Sequence, residues 1–253
     1  MRVHYEVDGP AGGPVVVLSN SIGSDARMWD PQVKPLTDNG FRVLRYDTRG
    51  HGRSPVPPSP YRIEDLGGDV IALLDHLDVP SAHFVGLSLG GMTGIWLAQH
   101  VPDRIRSLAA TFTSARPGNR QQWGDRIVQV RAQGMGAIAD GSLGRWFTRP
   151  WVEANPALAK GVREMVASVP AEGYIGCCEV LARLDLVPDL AKITAPTLVV
   201  SGSEDPSLPP EHGRLIAGNI TGARFEVLPT AHLGNYEQPD PFNELLLEHL
   251  EAA

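Results

Sequence analysis

The sequence predicts an α/β fold: one domain with a mostly parallel central sheet, helices on both faces and an inserted helical cap. Three observations point there. Short apolar runs alternate with longer segments of helical periodicity, the pattern of parallel strands joined by crossover helices. Two of those runs, Val15 to Leu18 and Leu198 to Val200, are continuous rather than alternating, as in strands buried on both faces. One long stretch, from Ala115 to Lys192, carries no strand pattern at all.

Taken in order, the strand patterns are VVVLS (Val15 to Ser19), FRVLRYD (Phe41 to Asp47), AHFVGL (Ala82 to Leu87), RSLAATF (Arg106 to Phe112), TLVVSG (Thr197 to Gly202) and ARFEVLP (Ala223 to Pro229). Between the second and third, Ile63, Leu66, Val70, Leu73, Leu74 and Leu77 recur at helical spacing behind the acidic Glu64 and Asp65. Gly67 and Gly68 weaken the first turns of that helix. A further helix is predicted to start at Leu89 and a last one to run from Pro241 to Leu250. The strandless stretch holds Gly- and Pro-punctuated helical patterns such as Trp123 to Phe147. An insertion this long in a compact domain reads as a lid or binding element. The expected division is therefore a core of residues 1–114 and 193–253 with a helical cap over about 115–192.

Composition excludes several classes. A net charge of −7 argues against a nucleic-acid surface and gives no attraction to an anionic membrane. No run reaches the ~18 apolar residues of a membrane span, and MRVHYEVDGP at the N-terminus lacks the apolar core of an export signal. A cytoplasmic enzyme is the expectation. The only cysteines, Cys177 and Cys178, are adjacent, so reduced and partly buried thiols are expected rather than a disulfide or zinc site.

The segment HFVGLSLGGMTGIWLAQ places Ser88 between Gly86 and Gly90, where an apolar run becomes a helical pattern. A serine there can be a helix cap, part of a phosphate cradle or a nucleophile. The dinucleotide fingerprint needs a glycine where Ser88 stands, and no Gly-Lys-Ser or Gly-Lys-Thr occurs in the chain. Gly-Leu-Ser-Leu-Gly instead fits G-x-S-x-G, in which a sharp strand-to-helix elbow lifts the serine hydroxyl above the sheet.

A serine hydroxyl needs a base. Of the eight histidines, His76, His100, His212 and His249 fall in helical patterns, His4 and His83 in strands, and His51 in a loop upstream of the serine. His232 alone lies in a loop after the last strand, LPTAHLGNYEQP, and is the expected base. The residue orienting it should follow an earlier strand, in the order serine, carboxylate, histidine. TSARPG after the RSLAATF run has no carboxylate, whereas SEDPSLPP offers Glu204 and Asp205. Asp205 is preferred because Asp-Pro suits the turn into a helix. The oxyanion donors are expected to be the amides of Leu89 and of Ile22, in the Asn20-Ser21-Ile22-Gly23 turn after VVVLS.

With these residues placed, the chain resembles the α/β-hydrolase superfamily over essentially its whole length. Within it the chain looks most like the 3-oxoadipate enol-lactonases of β-ketoadipate catabolism. The resemblance lies in LSNSIGSDARMWDPQV, FRVLRYDTRGHGRSPVPPSPY, LGGDVIALLDHLDV, GLSLGGMTGIWLAQHVPDR and AHLGNYEQP, and in the cap segments RWFT and EGYIGCCEVL. LSNS stands where other α/β-hydrolases carry a His-Gly pair. Ile22 and Leu89 replace leucine and methionine of the resembled pattern, both volume-conserving changes.

The resemblance implies hydrolysis of a five-membered enol-lactone bearing a carboxymethyl group, through an acyl-enzyme, with no metal and no organic cofactor. General carboxylesterases and perhydrolases share the machinery, and slow-turnover small-molecule receptors share the fold. If the anionic lactone is the substrate, a local cation must offset the protein's negative field, and arginine suits a carboxylate best. The cap offers Arg116, Arg120, Arg126, Arg131, Arg145, Arg149, Arg163 and Arg183. Arg145 is favoured because Trp146 and Phe147 follow it and can supply an apolar wall.

Overall fold

The computed structural model describes residues 3–253, leaving Met1 and Arg2 outside. The chain runs β1 (Tyr5–Asp8), β2 (Val15–Ser19), α1 (Asp30–Asp38), β3 (Arg42–Tyr46), α2 (Ile63–His76), β4 (Ala82–Leu87), α3 (Leu89–His100) and β5 (Ile105–Thr111). The helices α4 (Arg120–Trp146), α5 (Arg149–Ala154), α6 (Pro156–Ala167) and α7 (Ala171–Leu181) follow without an intervening strand. The chain then returns through β6 (Thr197–Gly202), α8 (Pro210–Gly218), β7 (Arg224–Leu228), the short α9 (Gly234–Glu237) and α10 (Pro239–Glu251).

The strands form one sheet in the order β1-β3-β2-β4-β5-β6-β7. Only β1 runs antiparallel, pairing with β3 from Tyr5 opposite Tyr46 to Asp8 opposite Val43. The β2 and β4 strands are buried along nearly their whole length because helices cover both faces. From β2 the chain steps outward to β3, then crosses back to β4 on the other side of β2. Such a reversal opens a crevice beyond the carboxyl ends of the two strands, where α/β sheets bind ligands. The loops after β2 and β4 carry Ile22 and Ser88 into that crevice.

Several details depart from the sequence expectations. No run announced β1, which is short and half-exposed. His4 precedes β1 rather than lying in a strand. Despite Gly67 and Gly68, α2 is continuous from Ile63, and its capping interactions include Asp65 accepting from the Arg62 amide. The last helix begins at Pro239, two residues before the expected Pro241. Cys177 and Cys178 are free and fully buried, not partly, and burial pushes the Cys178 thiol up to about 12.

The insertion between β5 and β6 is helical throughout its regular elements, with α4 kinked at Gly134, where φ is +72°. The long helix packs on α6 and α7. Helix α7 meets the core backbone to backbone: a Cβ on Gly173 would lie 2.0 Å from the Gly50 carbonyl oxygen. Both positions need glycine for this approach. No helix among the described residues is long and apolar enough to cross a membrane.

Candidate active site

Ser88 sits in the turn between β4 and α3 with φ +56° and ψ −116°, a region that non-glycine residues avoid. The neighbours hold it there. Its amide donates to the Thr111 carbonyl at 3.0 Å, and its carbonyl accepts from the Thr113 hydroxyl at 2.6 Å. The turn is so tight that a Cβ on Gly86 would lie 2.2 Å from the Gly90 carbonyl oxygen, and one on Gly90 2.1 Å from that of Ser19. These contacts explain physically why glycine flanks the serine on both sides. Strain kept by its surroundings in this way clusters at functional sites.

His232 lies in the loop after β7, with Nδ1 2.6 Å from Asp205 Oδ2. Asp205 Oδ1 accepts from the amides of Ser207 and Leu208 at 2.8 and 3.0 Å. Both side chains are buried. Burial alone would raise the Asp205 pKa; the His232 charge, its hydrogen bond and the two amides outweigh that and hold the carboxyl below its usual range. With a carboxylate at Nδ1, the imidazole carries its proton there and turns Nε2 the other way as an acceptor. Glu204 is exposed.

Ser88, His232 and Ile22 line one cavity of about 260 Å³, whose wall also includes Trp123, Arg145, Trp146 and Tyr174 of the insertion. Asp205 stands behind His232, outside the wall. Leu89 does not line the cavity: its side chain is in the core, and its amide heads α3, where partial positive charge gathers. Ile22 belongs to a turn whose other amides are committed. Ser21 donates to Met28 Sδ at 3.2 Å, Gly23 to His51 Nε2 at 3.0 Å and Ser24 to the Ser21 carbonyl at 3.2 Å. The Ile22 amide has no acceptor among the described residues.

Arg145 reaches the cavity, and so does Arg126, named only as one of eight cap arginines from the sequence. Arg126 lies 3.4 Å from the Tyr174 hydroxyl and Arg145 3.3 Å from that of Ser142. Neither has a carboxylate partner among the described residues, whereas Arg116, Arg149 and Arg163 pair with Asp185, Glu153 and Asp140. Burial, then the like charge of Arg126, lowers the Arg145 pKa from its ordinary value. Two half-buried cations thus face one cavity without a counter-ion. Sequence patterning held no signal for Arg126 over its neighbours, because which face of α4 turns inward depends on the kink and the packing beneath it. Among the described residues no group of three or more His, Cys, Asp or Glu could hold a metal ion.

A profile of the α/β-hydrolase fold matches residues 14–239. 3-Oxoadipate enol-lactonase 2 of Acinetobacter baylyi is 43% identical over 243 residues, which cover 96% of this chain and 91% of that one. The crystal structure of the enol-lactonase from Burkholderia xenovorans LB400 superposes with a TM-score of 0.97 at 43% identity, covering 98% of this chain and 96% of that one. A thermophilic esterase from Thermogutta terrifontis, solved with malate bound, gives a TM-score of 0.92 at 30% identity over 99% of this chain and 93% of the other.

Proposed function

The chain belongs to the α/β-hydrolase family, and from that premise we propose that it hydrolyses a small anionic lactone through an acyl-enzyme on Ser88, with the 3-oxoadipate enol-lactone as its substrate. The observation that carries the substrate class is the unpaired Arg126 and Arg145 beside Ser88 and His232. Two cations without a counter-ion fit a carboxylate-bearing ligand, and guanidinium binds a carboxylate more specifically than a diffuse positive field does. The 43% identical 3-oxoadipate enol-lactonase supports the same reading.

In this reading His232 Nε2 takes the Ser88 hydroxyl proton as Oγ attacks the lactone carbonyl. Negative charge developing on the carbonyl oxygen is met by the amides of Ile22 and Leu89. Collapse breaks the ring C–O bond, and the proton on His232 passes to the leaving enol oxygen. The ring-opened acyl group stays on Ser88. Water then gives its proton to His232 and attacks the acyl carbon, and Ser88 leaves with that proton restored. The enol tautomerises to a ketone, so the product is an oxo-dicarboxylate. Asp205 keeps the imidazole in the required tautomer and stabilises its charged form throughout.

The test is a side-by-side assay of the enol-lactone against neutral aryl esters of short and long acids. The lactone should be turned over with a kcat/KM at least 100-fold above any ester. A preference for neutral esters would overturn the lactonase reading and favour a general carboxylesterase, for which the 30% identical esterase is the supporting observation.

A further inference from the structure

His51 is fully buried at the end of the Tyr46-to-Gly52 segment, beneath the cap and beside the turn that follows β2. Its Nδ1 is 3.2 Å from the Arg49 carbonyl, and its Nε2 accepts the Gly23 amide at 3.0 Å. The geometry fixes the tautomer. A carbonyl can only accept, so Nδ1 carries the proton and Nε2 presents a lone pair to Gly23. Burial pushes the ring's pKa down to about 4, so the ring is neutral near neutral pH, as this role requires.

The hydrogen bond decides which amide of the turn is left over. Ser21 and Ser24 are satisfied within or close to the turn, by Met28 Sδ and by the Ser21 carbonyl. Gly23 has only His51. With that amide occupied, Ile22, which lines the cavity, is the one of the four whose N–H has no acceptor among the described residues. We propose that His51 is a positioning residue of the oxyanion hole, which takes the Gly23 amide through Nε2 and thereby sets the Ile22 amide toward the reacting carbonyl. The inference rests on the reading of Ser88 as nucleophile and Ile22 as oxyanion donor. The support for the Gly23 amide comes from outside the turn, from a loop 28 positions along the chain.

Two substitutions separate this role from a merely structural one. The carboxamide oxygen of His51→Gln can occupy the place of Nε2 and accept the Gly23 amide. His51→Asn can imitate Nδ1 and donate to Arg49, but reaches no further. Gln should keep kcat within about fivefold of the unaltered enzyme. Asn should lower kcat roughly 10- to 100-fold, a fraction of what outright loss of an oxyanion donor does, with KM changed less than threefold. Affinity for a boronic acid that forms a tetrahedral adduct should fall in parallel with kcat.

Equal losses in Gln and Asn, or a loss confined to KM, would overturn the proposal. A measurement on the unaltered protein guards against poor folding of the variants: nitrogen-15 shifts of the labelled imidazoles should report His51 as the Nδ1–H tautomer at neutral pH. An Nε2–H tautomer or a charged ring would contradict it. Labelling by an aryl phosphonate distinguishes the two levels of failure. If the reagent does not modify Ser88, the underlying nucleophile reading falls; if it does and Gln and Asn behave alike, only the role of His51 falls.

Discussion

The amide of Leu233 donates to the carbonyl of Trp146 at 2.9 Å, joining the residue after His232 to the residue after Arg145. Glu237 reinforces the junction. Its buried carboxylate accepts from the Ala231 amide at 3.0 Å, from the Thr148 amide at 3.3 Å and from the Thr148 hydroxyl. The loop that presents the proposed base and the helix end that presents the proposed substrate-binding arginine are therefore one unit. Glu237→Ala leaves two amides without their acceptor at about 1–3 kcal/mol each when they stay dry. For a domain of this size it should lower Tm by roughly 4–24 °C. Glu237→Gln, which keeps one acceptor, should lose less than half of that. A Tm unchanged by either variant would mean that the junction is replaced by solvent at no expense.

Removing Ser88 or His232 singly should lower kcat by several orders of magnitude, about as far as the double Ser88→Ala/His232→Ala variant, because such groups act as a unit. Asp205→Asn should lower kcat by on the order of 10⁴, through loss of the 2.6 Å contact that orients the ring. Steady-state kinetics decide this: independent, multiplicative losses contradict the assignment.

Arg145→Ala should raise KM for the anionic lactone well over tenfold, as expected for loss of a charged hydrogen bond of ~1.5–3 kcal/mol. Arg126→Ala should act in the same direction. Neither should change KM for a neutral aryl ester more than about threefold, since the ester offers no carboxylate to either guanidinium. Equal effects on both substrates would show that the arginines hold the cap in place rather than the ligand.

Acid should weaken the fold through its buried histidines. Burial pushes His51, His83 and His249 down to about 4, against ~6.5 in an unfolded chain. Between those values the unfolded chain binds more protons, so the stabilisation is complete above pH ~6.5 and is lost as the pH falls toward ~4. Each ring adds a slope of up to about 1.4 kcal/mol per pH unit in that window. Urea midpoints should fall steadily from about pH 7 to 5. A flat profile would show that these rings are reached by water.

Much of this architecture is readable from local sequence, for reasons the structure makes plain. The elbow at Ser88 needs Gly86 and Gly90 because backbone passes within a Cβ's radius of both, so the constraint is written in adjacent letters. The β2 and β6 strands are buried on both faces, which favours the continuous apolar runs Val15 to Leu18 and Leu198 to Val200. The His232 and Asp205 loops follow from chain order and turn chemistry. What stayed hidden depends on contacts between distant segments. His51 meets Gly23 across 28 positions and Glu237 meets Thr148 across 89, and no periodicity marks either. The edge strand β1 is too short and too polar to stand out from a loop. Arg126 and Arg145 come to one cavity only once α4 has kinked at Gly134 and packed on α6 and α7.

The account turns on Ser88 forming a covalent acyl intermediate, and peptide mapping tests that most directly. Ser21, Ser142 and Ser207 line the same cavity, so the enzyme offers its own internal alternatives. The protein is mixed with an excess of an aryl ester, quenched in acid within the first turnover and digested for mass spectrometry. The predicted result is the acyl mass on the peptide containing Ser88, absent from the Ser88→Ala variant, which also loses turnover. An adduct on Ser21, Ser142 or Ser207, or turnover that persists in Ser88→Ala, would contradict the account.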